Sequence, residues 1–272
     1  MSEQVLGRKI MQTGQAATGR SFRADGRTAI VTGAGQGLGR AFALALAAEG
    51  ATIIVAELNE DRGRAVVKEI NDAGARAHFV KTDVACAEAC RNMADTTLRK
   101  TGRIDILINN AGIFSTLEMR PFEEIPDAEW DQVLRVNVTG AFLCSKAVVG
   151  AMKGAGWGRI VHLASGAVTL GRPNYLHYIA SKSALAGMAK SMARELGGFG
   201  ITVNAMLPGA TFTEIERKTV SPEQKTVIVG SQCIKRPEAP EDLIGAMLFL
   251  CSEHSEFVTG QQVNVDGGAT HL

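Results

Sequence analysis

Short apolar runs alternate with amphipathic segments along most of the chain, beginning near Thr28. The first pair is TAIVTGA followed by GLGRAFALALAAEG, which ends at Gly50. The second pair is ATIIVAE followed by a helical pattern over Asp61–Asp72. Continuous apolar strands between amphipathic helices are typical of a parallel sheet that is covered on both faces. The pattern therefore predicts an α/β fold.

The same alternation continues to the carboxyl end of the chain. Further strands are predicted at ARAHFVKTD, IDILINN, GRIVHLAS, GITVNAMLP and QQVNVDG, and further helices over 128–153, 175–196 and 241–251. Because crossovers between parallel strands are right-handed, we predict a Rossmann-type, doubly wound parallel sheet of seven strands with helices on both faces. No linker or repeat interrupts residues 26–272, so we expect a single domain there.

Composition and charge narrow the class of protein. The 272 residues are 46% hydrophobic and 21% charged, with a net charge of +1. These values fit a globular protein and do not indicate a nucleic-acid-binding or membrane-binding face. The longest uninterrupted apolar stretch, AFALALAA from Ala41, is too short to cross a bilayer. Residues 1–25 lack a signal-peptide core and predict a loosely ordered arm, or one that reaches a neighbouring subunit.

The cysteines predict no metal site. Their number is five and their spacing is not that of a zinc site, and no cluster of His, Cys and Asp suggests another metal. A chain of this size needs no disulfides, so we expect reduced thiols in a cytoplasmic protein.

A glycine-rich stretch, VTGAGQGLGRA, joins the first predicted strand to the first helix. Gly33, Gly37 and Gly39 leave no side chain where a pyrophosphate would approach the backbone, and the helix offers free N–H groups to that anion. Tight turning of the chain would also account for these glycines. Their position between a strand and a helix favours a dinucleotide site.

The second predicted strand ends at Glu57, eighteen residues after Gly39. A carboxylate there can accept hydrogen bonds from both hydroxyls of an adenosine ribose and would repel a 2′-phosphate. Gln36 is neutral and supplies no cation for a 2′-phosphate, although Arg62 and Arg64 are close enough in sequence to reach that phosphate. We therefore predict NAD as the cofactor and NADP as less favoured. The alternative interpretation of Glu57 is a solvated strand end.

The sequence YIASK has Tyr178 four residues before Lys182. On a helix both side chains lie on one face, so an ammonium would lie beside a phenol and favour loss of its proton. An exposed amphipathic turn would give the same pair of residues, so the neighbouring motifs must decide between the two interpretations.

Several motifs in one order resemble the short-chain dehydrogenase/reductase family from about Thr28 to Gly268. They are TGAGQGLG, TDVA, NNAG, VNV, a serine thirteen residues before the tyrosine, YIASK, PGATFT and VDGG. The segments GWGRI and LHYIASK are similar to members such as 1-phenylethanol dehydrogenase. Members that reduce 3-oxoacyl-carrier-protein thioesters or oxidise sugars share nearly the same motifs.

The resemblance implies four catalytic residues. Tyr178 would be the general acid/base, and Lys182 would favour its phenolate and hold the nicotinamide ribose. Ser165 would donate a hydrogen bond to the substrate oxygen, and Asn137 would hold a water of a proton relay. A strand-end turn for Ser165 and a backbone-bonding helix position for Asn137 are the structural alternatives.

The resemblance also implies the cofactor contacts. Asp83 would bind near the adenine, with a helix N-cap as its alternative role. The predicted contacts are Gly33, Gln36, Gly37, Leu38, Glu57, Asp83, Val84, Asn110, Ala111, Gly112, Tyr178, Lys182, Pro208, Gly209, Thr211 and Thr213.

The substrate side is predicted with less detail. A lid over residues 209–236 would close on the ligand, and Gly166–Leu170, Tyr175 and Phe114 would line its pocket. His162 is expected to be a buried, hydrogen-bonded residue, whereas His177 would line the pocket or lie on the surface of a helix.

The predicted function is hydride transfer between NAD(H) and a small or medium neutral secondary alcohol or ketone. A NADPH-dependent 3-oxoacyl thioester reductase and a sugar dehydrogenase are alternatives within the same class. A non-catalytic dinucleotide-binding sensor or scaffold is the alternative of another class. The resemblance further implies a homotetramer that is built through the long helices and the last strand.

Overall fold

The computed structural model describes residues 24–215 and 222–271, so nearly all of the predicted arm lies outside the described residues. The described chain contains one seven-stranded sheet, and every neighbouring pair of strands is parallel. Its strands are β1 (Thr28–Thr32), β2 (Thr52–Glu57), β3 (Arg76–Lys81), β4 (Ile106–Asn109), β5 (Gly158–Leu163), β6 (Ile201–Pro208) and β7 (Gln262–Val265). All seven coincide with predicted strands.

The helices lie between these strands. They are α1 (Gly37–Ala48), α2 (Glu60–Asp72), α3 (Ala87–Thr101), α4 (Asp127–Leu134), α5 (Gly140–Ala155), α6 (Ala167–Leu170), α7 (Leu176–Leu196), α8 (Pro222–Ser231) and α9 (Glu241–Cys251). Sequence patterns did not predict α3, α6 or α8. The buried face of α3 consists of Cys90, Met93, Ala94 and Thr97, a stripe too small and polar to stand out as an apolar period.

Side chains on alternate positions of the strands enter two separate cores, one on each face of the sheet. On β1, Ala29 and Val31 join the cluster that contains Phe42 of α1, while Ile30 joins the cluster that contains Val148 of α5. This alternation follows from the two-residue repeat of a strand. Helices therefore cover both faces, and the predicted doubly wound Rossmann-type fold is confirmed.

The predicted helix over 128–153 is interrupted by one π-helical turn, Arg135–Thr139, between α4 and α5. By length and mean hydropathy, Asp127–Ala155 is the one stretch among the described residues that is long and apolar enough to cross a membrane. Val133, Cys144 and Val148 of this stretch are fully buried against the rest of the chain. We therefore interpret it as a core helix, because such helices pass the same test of length and composition.

The strand order β3-β2-β1-β4-β5-β6-β7 reverses direction between β1 and β4. Loops that leave neighbouring strands there run to opposite faces of the sheet and open a crevice at the strands' carboxyl ends. The topology thus predicts where a ligand site lies before any side chain is considered.

Candidate active site

A cavity of about 910 Å³ lies at the carboxyl ends of the strands. Each of the seven strands contributes lining residues, either its last ones or those that follow it. One example from each strand, in chain order, is Gly33, Glu57, Asp83, Asn110, Ser165, Gly209 and Asp266. The cavity thus occupies the crevice that the strand order predicts.

The glycine loop between β1 and α1 is closed tightly on its surroundings. Gly33 has φ +62°, and a Cβ there would lie 2.9 Å from Ala111 Cα. A Cβ on Gly39 would lie 2.3 Å from the Gly33 carbonyl oxygen. Asn110 Nδ2 donates to the carbonyls of Thr32 and Gly33, at 2.9 and 3.0 Å, and so fastens the loop to β4. This side-chain-free cradle at a helix N-terminus fits the pyrophosphate of a dinucleotide.

Glu57 points its carboxylate into the same loop. Its Oε2 accepts from the Gly35 N–H at 3.0 Å and its Oε1 from the Asn59 N–H at 2.9 Å. Arg64 is engaged elsewhere, because its Nη2 donates to Glu60 Oε1 at 2.8 Å. Arg62 stays close to the loop, since its Cβ would lie 2.9 Å from a Cβ on Gly35. A negative charge therefore stands at the end of β2, as the sequence predicted.

The segment after Thr213 covers part of the phosphate cradle. Glu214 Oε1 accepts from the Gly37 N–H at 2.7 Å, and Ile215 Cδ1 would lie 2.8 Å from a Cβ on Gly37. A carboxylate therefore occupies the anion-binding N-terminus of α1, where the pyrophosphate was predicted. For this reason Gly37 is buried and does not line the cavity.

Tyr178 and Lys182 lie near the start of α7 and both line the cavity. Lys182 Nζ is 5.7 Å from the centre of the Tyr178 ring and donates to the Leu163 carbonyl at 2.6 Å. Burial lowers the pKa of Lys182 to about 8, which leaves it mainly protonated at neutral pH. The predicted pairing of a phenol with an ammonium in a cleft is thus present in the geometry.

Ser165 lies just after β5 on the same wall of the cavity. Its Oγ accepts from the Ala167 N–H at 3.2 Å, an interaction that leaves the hydroxyl proton for another acceptor. The side chain is 8% exposed, so a ligand in the cavity can reach it.

Asn137 lies in the π-helical turn and does not line the cavity. Its Oδ1 accepts from the Ile113 N–H at 2.7 Å, and its Nδ2 donates to the Ile113 carbonyl and to Ser181 Oγ, at 3.2 and 3.0 Å. Its carboxamide is therefore bonded to the wall behind Gly112 rather than directed at a water beside Lys182. Extra turns of this kind are frequent at functional sites.

All the other predicted cofactor contacts line the cavity, whereas Gly39 of the glycine loop and Val168 and Thr169 of the predicted pocket do not. The polar side chains of two of these contacts bond within the protein: Thr211 Oγ1 donates to Glu238 Oε1 at 2.5 Å, and Asp83 Oδ1 accepts from the Ala85 N–H at 2.9 Å in a local turn. Cys86, and not Asp83, holds the N-cap position of α3.

The two histidines near the site are both buried. His162 Nδ1 is 3.1 Å from Asn109 Nδ2, and burial lowers the His162 pKa to about 4, as expected for a neutral core residue. The prediction for His177 was wrong, because it neither lines the pocket nor lies on the surface. It is 0% exposed, and its Nε2 lies 3.2 Å from Glu129 Oε1 of α4.

The substrate end of the cavity contains both predicted and unpredicted residues, and Phe114 and Tyr175 are among the predicted ones. Phe114 stacks at 4.7 Å from Tyr178 between ring centres, and the Arg172 guanidinium lies 5.2 Å from the Tyr175 ring centre. Unpredicted lining residues include Ile113, Met119, Arg172 and Pro173, which come from loops where no regular spacing marks a pocket residue. Ile215, Val227, Ile228 and Gln232 also line the cavity, and they lie within the predicted lid over residues 209–236.

Comparison with known proteins identifies the family. The family model described as enoyl-(acyl carrier protein) reductase matches residues 33–270. A cyclopentanol dehydrogenase of Comamonas sp. (strain NCIMB 9872) is 34% identical over 91% of this chain and 98% of its own length. The chain is a short-chain dehydrogenase/reductase. The 7alpha-hydroxysteroid dehydrogenase of Escherichia coli (strain K12) is also 34% identical, over 91% of this chain and 96% of its own length.

Solved structures of other short-chain dehydrogenases/reductases share the fold. A 7 alpha-hydroxysteroid dehydrogenase complexed with NADH and 7-oxo glycochenodeoxycholic acid superposes with a TM-score of 0.86, at 34% identity over 91% of this chain and 95% of its own. A gluconate 5-dehydrogenase from Burkholderia cenocepacia J2315, in complex with NADP and tartrate, gives the same score and identity over 91% and 96%. This short-chain dehydrogenase/reductase is therefore an NAD(P)-dependent oxidoreductase that acts on CH–OH groups.

Proposed function

We propose that the protein interconverts secondary alcohols and ketones of small or medium size with NAD(H), and that Tyr178 is its general acid/base. The observation that carries this proposal is the common wall formed by Tyr178, Lys182 and Ser165, facing a glycine cradle in one cavity. A sensor or scaffold would not need a phenol, an ammonium and a hydroxyl gathered at the same end of that cavity.

The roles follow from the chemistry of each side chain. When bound, the cofactor supplies or accepts the hydride. Tyr178 takes the proton from the alcohol oxygen, or returns it to the carbonyl oxygen. Lys182, mainly charged at neutral pH, favours the phenolate and donates to the nicotinamide ribose hydroxyls. Ser165 donates to the substrate oxygen and holds it within reach of Tyr178.

We assign Asn137 a positioning role. Its side chain ties Ile113 to Ser181, and Ser181 lies next to Lys182 on α7. Gly112 lies in the same place, since a Cβ there would be 3.1 Å from Asn137 Oδ1 and 3.6 Å from Lys182 Nζ. A water of the proton relay would then be held by neighbouring groups and not by this carboxamide.

We propose NAD over NADP because of the charge at the end of β2. A 2′-phosphate carries nearly two negative charges and would approach the carboxylate of Glu57, which already lies beside the Gly35 N–H. Arg64 is paired with Glu60 and is held away from that position. Arg62, whose Cβ would lie 2.9 Å from a Cβ on Gly35, is a cation close to the loop and would favour the phosphate.

The substrate end favours a ligand with an apolar body next to its carbinol carbon. Phe114, Tyr175, Met119 and Val227 are among the apolar residues that line this part of the cavity. The Tyr175 hydroxyl is buried and has no hydrogen-bond partner among the described residues, so it can bond to a second polar group of the substrate. We propose that residues 209–236 act as the lid, of which residues 216–221 lie outside the described chain.

We further propose a cytoplasmic homotetramer. The five thiols are free in the structure, as a reducing compartment would keep them. Phe142 on α5 is 49% exposed and Phe257, just before β7, is 99% exposed, so both are available to a second copy. Light scattering coupled to gel filtration would give about four times the 28.8 kDa chain mass, and a monomer would contradict this part of the proposal.

A hydride-transfer assay tests the proposed function. The protein is mixed with NAD and a panel of secondary alcohols, including cyclic, aryl-alkyl and steroid alcohols, and NADH is followed by absorbance. Sugar alcohols and 3-hydroxyacyl thioesters, with NADP beside NAD, test the alternatives. Turnover restricted to the thioesters with NADP would overturn the proposal, and tight NADH binding without turnover would favour a sensor.

A further inference from the structure

Glu238 is a buried carboxyl group that the proposed mechanism does not use. It lies between α8 and α9 and is 5% exposed. Its Oε1 accepts from Thr211 Oγ1 at 2.5 Å, and its backbone carbonyl accepts from the Phe212 N–H at 2.8 Å. Thr211 and Glu238 also form an isolated parallel bridge. Glu238 therefore holds the loop after β6 through both its side chain and its backbone.

The second carboxyl oxygen of Glu238 lies directly behind the cavity wall. Oε2 has no hydrogen-bond partner among the described residues. A Cβ on Gly209 would lie 2.4 Å from it and 2.9 Å from Asp266 Cα. Gly209, Thr211 and Asp266 all line the cavity, whereas Glu238 itself does not. A buried carboxyl group thus stands one layer behind the wall that is predicted to border the nicotinamide.

We propose that Glu238 is a positioning residue that fixes the loop of residues 208–213 for the nicotinamide end of the cofactor, and that its negative charge makes the site prefer the oxidised cofactor to the reduced one. The inference rests on the proposed function, because that function assigns the nicotinamide to this loop. The oxidised nicotinamide ring is a cation and the reduced ring is neutral, so a nearby carboxylate distinguishes the two by charge alone.

The charge of Glu238 changes near neutral pH. Burial raises its pKa to about 7, and the carboxylates of Asp242 and Asp266 act in the same direction. Asp242 remains ionised throughout this range, because its bond to Arg236 lowers its pKa to about 2. Asp266 accepts from the N–H groups of Gly268 and Thr270. Above pH 7 the ionised Glu238 attracts the oxidised ring, and below pH 7 this attraction is lost.

The sign of the effect follows from linkage. Binding of a cation favours the ionised carboxyl, so the oxidised cofactor should bind more tightly as the pH rises from 6 to 8, while the reduced cofactor should not. Lys182, whose pKa is about 8, contributes a similar trend at the upper end of this range. The contribution of Glu238 is the part centred near pH 7, and it disappears when the carboxyl is replaced.

Calorimetric titration of NAD and NADH into the purified protein at pH 6, 7 and 8 tests the proposal. We expect the ratio of the NADH dissociation constant to that of NAD to rise about fivefold over this range in the wild type and less than about twofold in Glu238→Gln. Glu241→Gln, the same charge change on an exposed residue of α9, is the control and should follow the wild type.

Two further measurements separate the proposal from a merely structural role. At pH 6.5, NAD binding to the wild type should release protons, seen as binding heats that depend on the ionisation enthalpy of the buffer; this needs no variant to fold. Thr211→Val keeps the carboxylate but removes its side-chain bond to the loop, a bond that lowers the Glu238 pKa. It should weaken both cofactor forms equally and move the pH dependence of the ratio to higher pH without abolishing it.

The outcomes are distinct. A wild type that binds both forms with a ratio independent of pH, or without proton release, overturns the inference and leaves the proposed function intact. A Glu238→Gln variant that keeps the wild-type trend also overturns it. Failure of the wild type to bind either form refutes the proposed function and this inference with it.

Discussion

Replacing Glu57 by glutamine removes one negative charge at the end of β2 and keeps the shape of the side chain. The amide oxygen can still accept the Gly35 N–H that Oε2 accepts at 3.0 Å, so this bond to the loop is kept, while the exposed bond from the Asn59 N–H to Oε1 is lost. The variant therefore changes mainly the charge, which is the basis for the proposed preference for NAD over NADP.

The magnitude follows from the charges in the loop. Two unit charges about 5 Å apart in a water-like medium interact by about 0.8 kcal/mol. A 2′-phosphate carries nearly two charges, so its repulsion by Glu57 is about 1.7 kcal/mol, or roughly 15-fold in affinity. Since the carboxylate is partly buried, this value is a lower bound. Once residue 57 is neutral, Arg62, which lies close to the same loop, further increases the affinity for the 2′-phosphate of NADP.

The assay compares kcat/KM for NAD and NADP with one alcohol in the wild type and in Glu57→Gln. We expect the NADP-to-NAD ratio to rise by at least about 15-fold, mainly through tighter NADP binding. Glu195→Gln is the matched control, because it makes the same charge change on an exposed residue near the end of α7, away from the glycine loop, and releases no arginine there. An unchanged ratio in Glu57→Gln, or an equal rise in the control, would refute the role of Glu57.

The remaining predictions concern Glu214, which covers the glycine loop, and Ser181, which bonds to Asn137 behind Lys182. Glu214→Ala should bind NAD about 2- to 10-fold more tightly, because the carboxylate that accepts the Gly37 N–H no longer competes with the pyrophosphate; weaker binding by titration calorimetry would contradict this. Ser181→Ala should lower the free energy of unfolding in urea by about 1–2 kcal/mol, since it removes a buried acceptor of Asn137 Nδ2. Exposed Ser183→Ala on the same helix should lower it by less than about 0.5 kcal/mol, and an equal loss in both would remove the proposed contact from the account.

The fold could be predicted from the sequence because each strand or helix is marked by the pattern of its own residues. The same alternation of strand and helix patterns then repeats along the chain. Strands such as β1 and β2 are continuous, buried apolar runs, and α9 begins at Glu241 and ends at Cys251, as its apolar spacing predicts. The π-helical turn at Asn137 could not be predicted in this way. One extra residue in a single turn does not visibly change the spacing of the apolar residues. Asn137 in this turn instead bonds to Ile113 and Ser181, which are distant in sequence.

Most of the predicted site residues lie together because the loops after neighbouring strands meet at the carboxyl-terminal edge of the sheet, and the start of α7 brings Tyr178 and Lys182 to the same cavity. What the sequence could not give is the orientation of individual groups. Thr211 turns its hydroxyl to Glu238, which is 27 positions away, and Gly37 is covered by Glu214, which is 177 positions away. His177 is adjacent to Tyr178 in sequence, yet it faces Glu129 on another helix, because neighbouring residues of a helix point in different directions.

Proton transfer by the Tyr178 phenol beside Lys182 is the step on which the proposed function depends most directly. The decisive measurement is single-turnover hydride transfer in Tyr178→Phe, with NAD binding measured on the same preparation. We predict a loss of at least about 10³-fold in the rate of transfer with an NAD dissociation constant within about threefold of the wild type. Tyr175→Phe, the same change in a ring 6.0 Å away between centres, should lose less than about tenfold. Transfer by Tyr178→Phe at the rate of the wild type would contradict the central claim.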